Sequence, residues 1–166
     1  EKTLGQVIQL SSNPKIIYEF IPSSTFQFQK VLVEINEKGF RDAVYTSKKR
    51  KKTKRIIGIG DSVMFGWGVD EQASYLSLLE NQMNQESDFN WEVINTAVPG
   101  YNTVMEVELL LQVALRFQPD LVLLGFIPND LAQPVFLNLR PRHFRFDRSY
   151  LLESLRSASA PRRLPQ

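Results

Sequence analysis

Three short polar clusters hold the groups with which this sequence could do chemistry. They are Gly60-Asp61-Ser62, in the run Ile59-Gly60-Asp61-Ser62-Val63-Met64-Phe65-Gly66-Trp67-Gly68, then Pro99-Gly100-Tyr101-Asn102, and finally Pro128-Asn129-Asp130. Ser62 offers a hydroxyl on what reads as a tight turn. Gly100 has no side chain, so its N–H can approach a ligand closely. The Asn129 side chain carries a further N–H donor. A serine hydroxyl with convergent N–H donors is the minimal set for acyl transfer, in which the serine attacks a carbonyl and the donors hold the oxyanion. Each cluster also has a plainer reading. Serine is a common helix N-cap, glycine and asparagine are turn residues, and Asp61 reads as a residue that ties its loop down by local hydrogen bonds.

The elements around the clusters say why they should meet. Arg55 to Gly60 is a short apolar run ending in glycine, as a buried parallel strand should be. Tyr75, Leu76, Leu79 and Met83 then recur at helical spacing in the segment 74–86. Trp91 to Asn95 reads as a second strand. Thr103 and Glu106 form a capping-box pattern ahead of a helix over 104–117, which Pro119 stops. Asp120 to Phe126 reads as a third strand. Alternating strands and helices predict a parallel sheet with helices packed on it, and ligands bind at the carboxyl ends of such strands. All three clusters fall there.

Ahead of this core, Ile16 to Ile21 and Phe26 to Ile35 are rich in β-branched and aromatic residues, with Pro22-Ser23-Ser24 as a turn between them. One small hairpin is expected. The chain therefore divides into a β-rich extension with a basic loop over 1–54, an incomplete α/β core over 55–133, and an irregular segment and tail over 134–166. Three strands make a narrow sheet for a doubly wound domain, so the fold reads as incomplete at its C-terminus.

Composition removes other classes. With 166 residues there is room for one ordinary domain. There is no cysteine and a single histidine, which excludes thiolate chemistry and leaves no visible metal cluster. Gly58-x-Gly60 lacks the third glycine of a dinucleotide fingerprint, because Val63 stands there, and no Gly-Lys-Ser/Thr follows. No cofactor is expected. The net charge is +2, with much of the positive charge in the run Lys48 to Arg55. That run reads as a solvated loop. It disfavours nucleic acid, whose binding calls for a spread basic face, and leaves association with an anionic membrane surface open. No apolar stretch approaches the ~18–20 residues of a membrane span. The chain starts at Glu1 rather than Met, as a fragment that has lost a leader would.

The three clusters, in this order, resemble the conserved blocks of SGNH (GDSL-type) serine hydrolases. Gly60-Asp61-Ser62 with Phe65-Gly66-x-Gly68-Val69 is similar to the first block. Asn95 with Val98-Pro99-Gly100-Tyr101-Asn102-Thr103 is similar to the second, and Gly125 with Asn129-Asp130 to the third. Asn36-x-x-Gly39-Phe40-Arg41 is similar to a lead-in of many bacterial members. The resemblance implies a three-layer, flavodoxin-like fold. It implies Ser62 as nucleophile and first oxyanion donor, Gly100 as second and Asn129 as third. It also implies hydrolysis of a small-molecule, carbohydrate or lipid ester without a cofactor.

The family's fourth block, an Asp-x-x-His that supplies the general base, has no counterpart. His143 is preceded by Arg140 where the aspartate would stand, so it reads as a surface residue. Loss of the base costs a comparable serine hydrolase about a million-fold in turnover, so this chain alone is expected to be nearly inert, with its Asp-x-x-His beyond Gln166. The alternative is a non-catalytic binding or interaction module of the same fold.

Overall fold

Thr53 to Gly60 forms the central strand of the molecule, and all but one of its residues are buried. The computed structural model describes residues 4–128. In chain order these form β1 (Ile8–Leu10), β2 (Tyr18–Phe20), β3 (Ser24–Phe28), β4 (Val31–Ile35), β5 (Thr53–Gly60), α1 (Ser62–Phe65), α2 (Tyr75–Glu86), β6 (Asn90–Asn95), α3 (Thr103–Gln112) and β7 (Leu121–Gly125).

β5 pairs in parallel with β6 on one side and with β7 on the other, giving the order β6-β5-β7. Side chains alternate across this sheet. One face carries Ile56, Gly58 and Gly60, and α1 and α2 lie on it. A Cβ on Gly58 would stand 2.7 Å from Leu76 Cδ1 and 3.1 Å from Met64 Sδ. The opposite face carries Ile57 and Ile59, which cluster with Phe40, Ala114 and Phe117. Ile57 is wholly buried, and burying such a side chain contributes about 1.5–3 kcal/mol. The architecture is thus α/β, with helices on both faces of a parallel sheet.

The single hairpin expected in the N-terminal segment is two hairpins. β1 pairs with β2, and β3 pairs with β4, each antiparallel. The run 26–35 folds back on itself at Gln29 and Lys30, whose φ angles are 46° and 67°. Two successive positive φ angles make a tight turn that matches the right-handed twist of its strands. Glycine or asparagine normally announces such a turn, and neither is present. The Pro22–Ser24 turn separates the two hairpins. Leu4, Val7, Ile16, Tyr18, Phe20, Phe26 and Val33 then share one apolar cluster with Ile56, Met64 and Tyr101.

Two further expectations change. The helix over 104–117 is shorter: α3 stops at Gln112, and a separate 3-10 turn covers Ala114–Phe117. Its N-cap is Asn102 rather than Thr103, because the Asn102 side chain accepts from Met105 N–H at 3.1 Å. The basic run is only partly a solvated loop. Lys49 and Lys54 pair with Asp120, and Arg55 is buried against Glu92, its Nε donating at 2.8 Å. These contacts tie β5 to the start of β7 and to β6 at the amino ends of the strands, away from the polar clusters. Among the described residues, no helix is long and apolar enough to cross a membrane.

Candidate functional site

The turn that carries Ser62 is built from close contacts. Gly60 ends β5 with Met64 packed on it so tightly that an added Cβ would lie 2.8 Å from Met64 Cβ. Asp61 caps α1, its Oδ1 accepting from Val63 N–H at 3.0 Å. The Ser62 hydroxyl donates to Asp61 Oδ2 at 3.3 Å. Gly66, at φ 78°, closes the single turn, and Trp67 N–H returns to Ser62 C=O at 3.1 Å. Asp61 therefore secures the loop, as its local bonding predicts. Phe65 and Trp67 serve packing: Phe65 stacks on Phe20 at 5.2 Å and Trp67 meets Phe28 at 4.1 Å.

Arg41 holds this turn from below. Its buried guanidinium donates to Phe65 C=O at 3.1 Å, Gly66 C=O at 2.7 Å and Val69 C=O at 2.6 Å. The guanidinium also lies over the Phe65 ring. Asn36 folds the segment that delivers Arg41. Its side-chain oxygen accepts from Lys38 N–H and Phe40 N–H, and its amide donates to Asp42 C=O and Ala43 C=O. The Asn36-to-Arg41 lead-in is thus a brace for the Ser62 turn.

Gly100 lies in the turn after β6. Tyr101 N–H donates to Val98 C=O at 3.1 Å, and Gly100 has φ 80°. Proline second and a positive-φ glycine third define a type II turn. The turn's own hydrogen bond does not use Gly100 N–H. Val98 N–H donates to Gly60 C=O at 3.1 Å, so this turn leaves from the strand end that also leads to Ser62. Asn95 strengthens the junction, its side chain donating to Met64 C=O at 3.3 Å and accepting from Ala97 N–H at 3.1 Å. Ser62 and Gly100 are each partly accessible, neither sealed in the core.

The third cluster follows β7, whose last residue, Gly125, stands opposite Gly60 in the ladder. Asn129, Asp130 and His143 lie outside the described residues. Of the expected trio, Ser62 and Gly100 lie in turns that both adjoin the end of β5.

Three further side chains, which spacing in the sequence does not single out, lie against these strand ends and turns. Tyr75, whose spacing fits the apolar face of α2, is 42% exposed. Its hydroxyl would be 3.6 Å from a Cβ on Gly125, and partial burial together with the Asp61 carboxylate pushes it up to about 12. Tyr18 is buried, and its hydroxyl donates to Pro99 C=O at 2.9 Å. Burial and then the Asp61 carboxylate hold it well above the ordinary phenol range. Asp42 Oδ2 accepts from Asn95 N–H at 2.7 Å. Spacing gives no hint of the last two, because their partners lie far along the chain.

The decisive comparison covers the strand ends just described. The model of the GDSL-like Lipase/Acylhydrolase family matches residues 59–163. This chain belongs to that family. Solved structures resemble it over a smaller part. TesA is 22% identical, with 46% of this chain and 42% of that chain covered at a TM-score of 0.43. AlinE4, described as an SGNH-hydrolase family esterase, is 28% identical, with 46% and 43% covered at a TM-score of 0.37. The chain thus spans less than half the length of these two proteins. No curated protein matches it. Within the GDSL-like match lie Ser62, Gly100 and Asn129. Tyr18, Arg41 and Asp42 fall before its first residue, so the extension adds contacts to the Ser62 turn, to Pro99 and to Asn95 from outside the matched region.

Proposed function

We propose that this chain carries the nucleophile and oxyanion donors of a serine ester hydrolase. Ser62 Oγ attacks the carbonyl carbon of an acyl or acetyl ester. The oxyanion that forms is held by the N–H groups of Ser62 and Gly100 and by the Asn129 side chain. The alcohol leaves, and water then releases the acyl group from Ser62. One oxyanion donor is worth roughly 3–4 kcal/mol in the transition state. The observation that carries the reading is the single strand end, Gly60, from which the Ser62 turn departs and to which the Gly100 turn is bonded through Val98 N–H.

The Ser62 proton must pass to a general base. The family pattern asks for a histidine three residues after an aspartate, and position 140 ahead of His143 is arginine. The test is hydrolysis of p-nitrophenyl acetate by the full gene product and by Ser62→Ala. The wild type should exceed the variant by at least ~10³-fold, within what loss of a serine nucleophile costs elsewhere. Equal rates at the buffer background would reject catalysis and leave a binding module of the same fold.

A further inference from the structure

We propose that Tyr18, in the N-terminal extension, is a positioning residue for the oxyanion donor Gly100, and this rests on the ester-hydrolase reading. In a type II turn the middle peptide, here Pro99–Gly100, is rotated by about half a turn relative to type I. The two turn types therefore present Gly100 N–H in opposite directions. The described residues contain no cis peptide bond, so Pro99 C=O and Gly100 N–H point in opposite directions within their shared peptide plane. The Tyr18 hydroxyl donates to Pro99 C=O at 2.9 Å from a buried position. The carbonyl is thereby held inward, and Gly100 N–H faces away from the interior, where an oxyanion would lie.

Tyr18 is itself held on both sides. The Tyr101 hydroxyl donates to Tyr18 C=O, and the two rings meet edge-on at 5.3 Å. Tyr101 is the last residue of the same turn, so turn and strand β2 grip each other reciprocally. Proline at 99 has no N–H, and its neighbour must be glycine to hold φ 80° at low cost. The proline–glycine pair permits the type II form, and one hydroxyl from a segment distant in sequence holds its middle carbonyl in place.

Tyr18→Phe in the full gene product tests this, with Ser62→Ala and Tyr101→Phe beside it. Expected are a fall in kcat of about 10–100-fold, short of total loss of a donor, and a KM within about twofold. The Gly100 amide resonance should move or split in Tyr18→Phe, showing a reoriented peptide. Tyr101→Phe, which keeps the Tyr18 hydroxyl, should lose less. If Ser62→Ala abolishes turnover while Tyr18→Phe keeps the wild-type kcat, Tyr18 has no such role although the hydrolase reading stands. If wild type and Ser62→Ala are both inert, the hydrolase reading fails, and the proposal fails with it. A Gly100 resonance unchanged in Tyr18→Phe overturns the proposal whatever the rates.

Discussion

Asp42 Oδ2 accepts the backbone N–H of Asn95 at 2.7 Å, which joins the loop ahead of β5 to the last residue of β6. The Tyr45 hydroxyl lies 3.1 Å from Asp42 Oδ1 and 3.3 Å from Glu80 Oε2, its one hydrogen shared between them, and Glu80 accepts from Val93 N–H at 2.6 Å. Burial raises the Asp42 carboxyl to about 7, with Glu80 adding to the rise and the hydrogen bonds opposing it. Glu80 is raised as well, also chiefly by burial.

The raised Asp42 group sets a pH dependence of stability. Unfolded, the group titrates near ~4, so between that value and about 7 the folded state binds the extra proton. Its contribution is complete below ~4 and is lost as pH rises through the folded value, at most ~4 kcal/mol. Asp120 acts in a different window. Its carboxyl is lowered to about 2, chiefly by Lys49, so its contribution is lost only as pH falls below ~4. Urea midpoints should therefore decline from pH 5 to pH 8 in the wild type and vary less in Asp42→Asn. Parallel pH profiles would remove Asp42 as the cause.

Arg41 should matter to both stability and site geometry. Arg41→Ala leaves three carbonyls of the Ser62 turn without their charged donor. Each such bond contributes ~1.5–3 kcal/mol, but bonds from one guanidinium are not additive, so a loss of about 3–5 kcal/mol, below their simple sum, is expected in chemical denaturation. Arg41→Lys retains the charge but lacks the planar fork that reaches several acceptors, and should recover only part of this. Full recovery by lysine would mean that charge, rather than the fork, supports the turn.

Gly60→Ala probes the fit of α1 on β5. The new methyl would meet Met64 Cβ at 2.8 Å and Gly125 C=O at 3.3 Å. Overpacking of this kind costs ~1–3 kcal/mol. Because Met64 belongs to the same single helical turn as Ser62, relief requires that turn to move. Ester turnover should drop by more than tenfold in a protein that remains folded by circular dichroism. Turnover near wild type would show that the turn accommodates the methyl without shifting Ser62.

The parallel sheet was legible because β5, β6 and β7 are short apolar runs between helical periods, and each boundary fell within one or two residues. The turns that carry Ser62 and Gly100 were legible because they depend on local types: a glycine under Met64, a capping aspartate, a proline–glycine pair. The hairpins were misread because Gln29 and Lys30 adopt positive φ without the residues that usually mark it. The contacts of Tyr18 and Asp42 were illegible for a different reason. Each acts through a side chain on a backbone group more than fifty residues away, at Pro99 and Asn95. Periodicity carries no record of such pairings.

Along the outer side of β6, the N–H groups of Trp91, Val93 and Asn95 are taken by the side chains of Asn84, Glu80 and Asp42. An incoming peptide would find every second rung of that ladder already filled. A strand adding to this flank would first have to displace these three side chains.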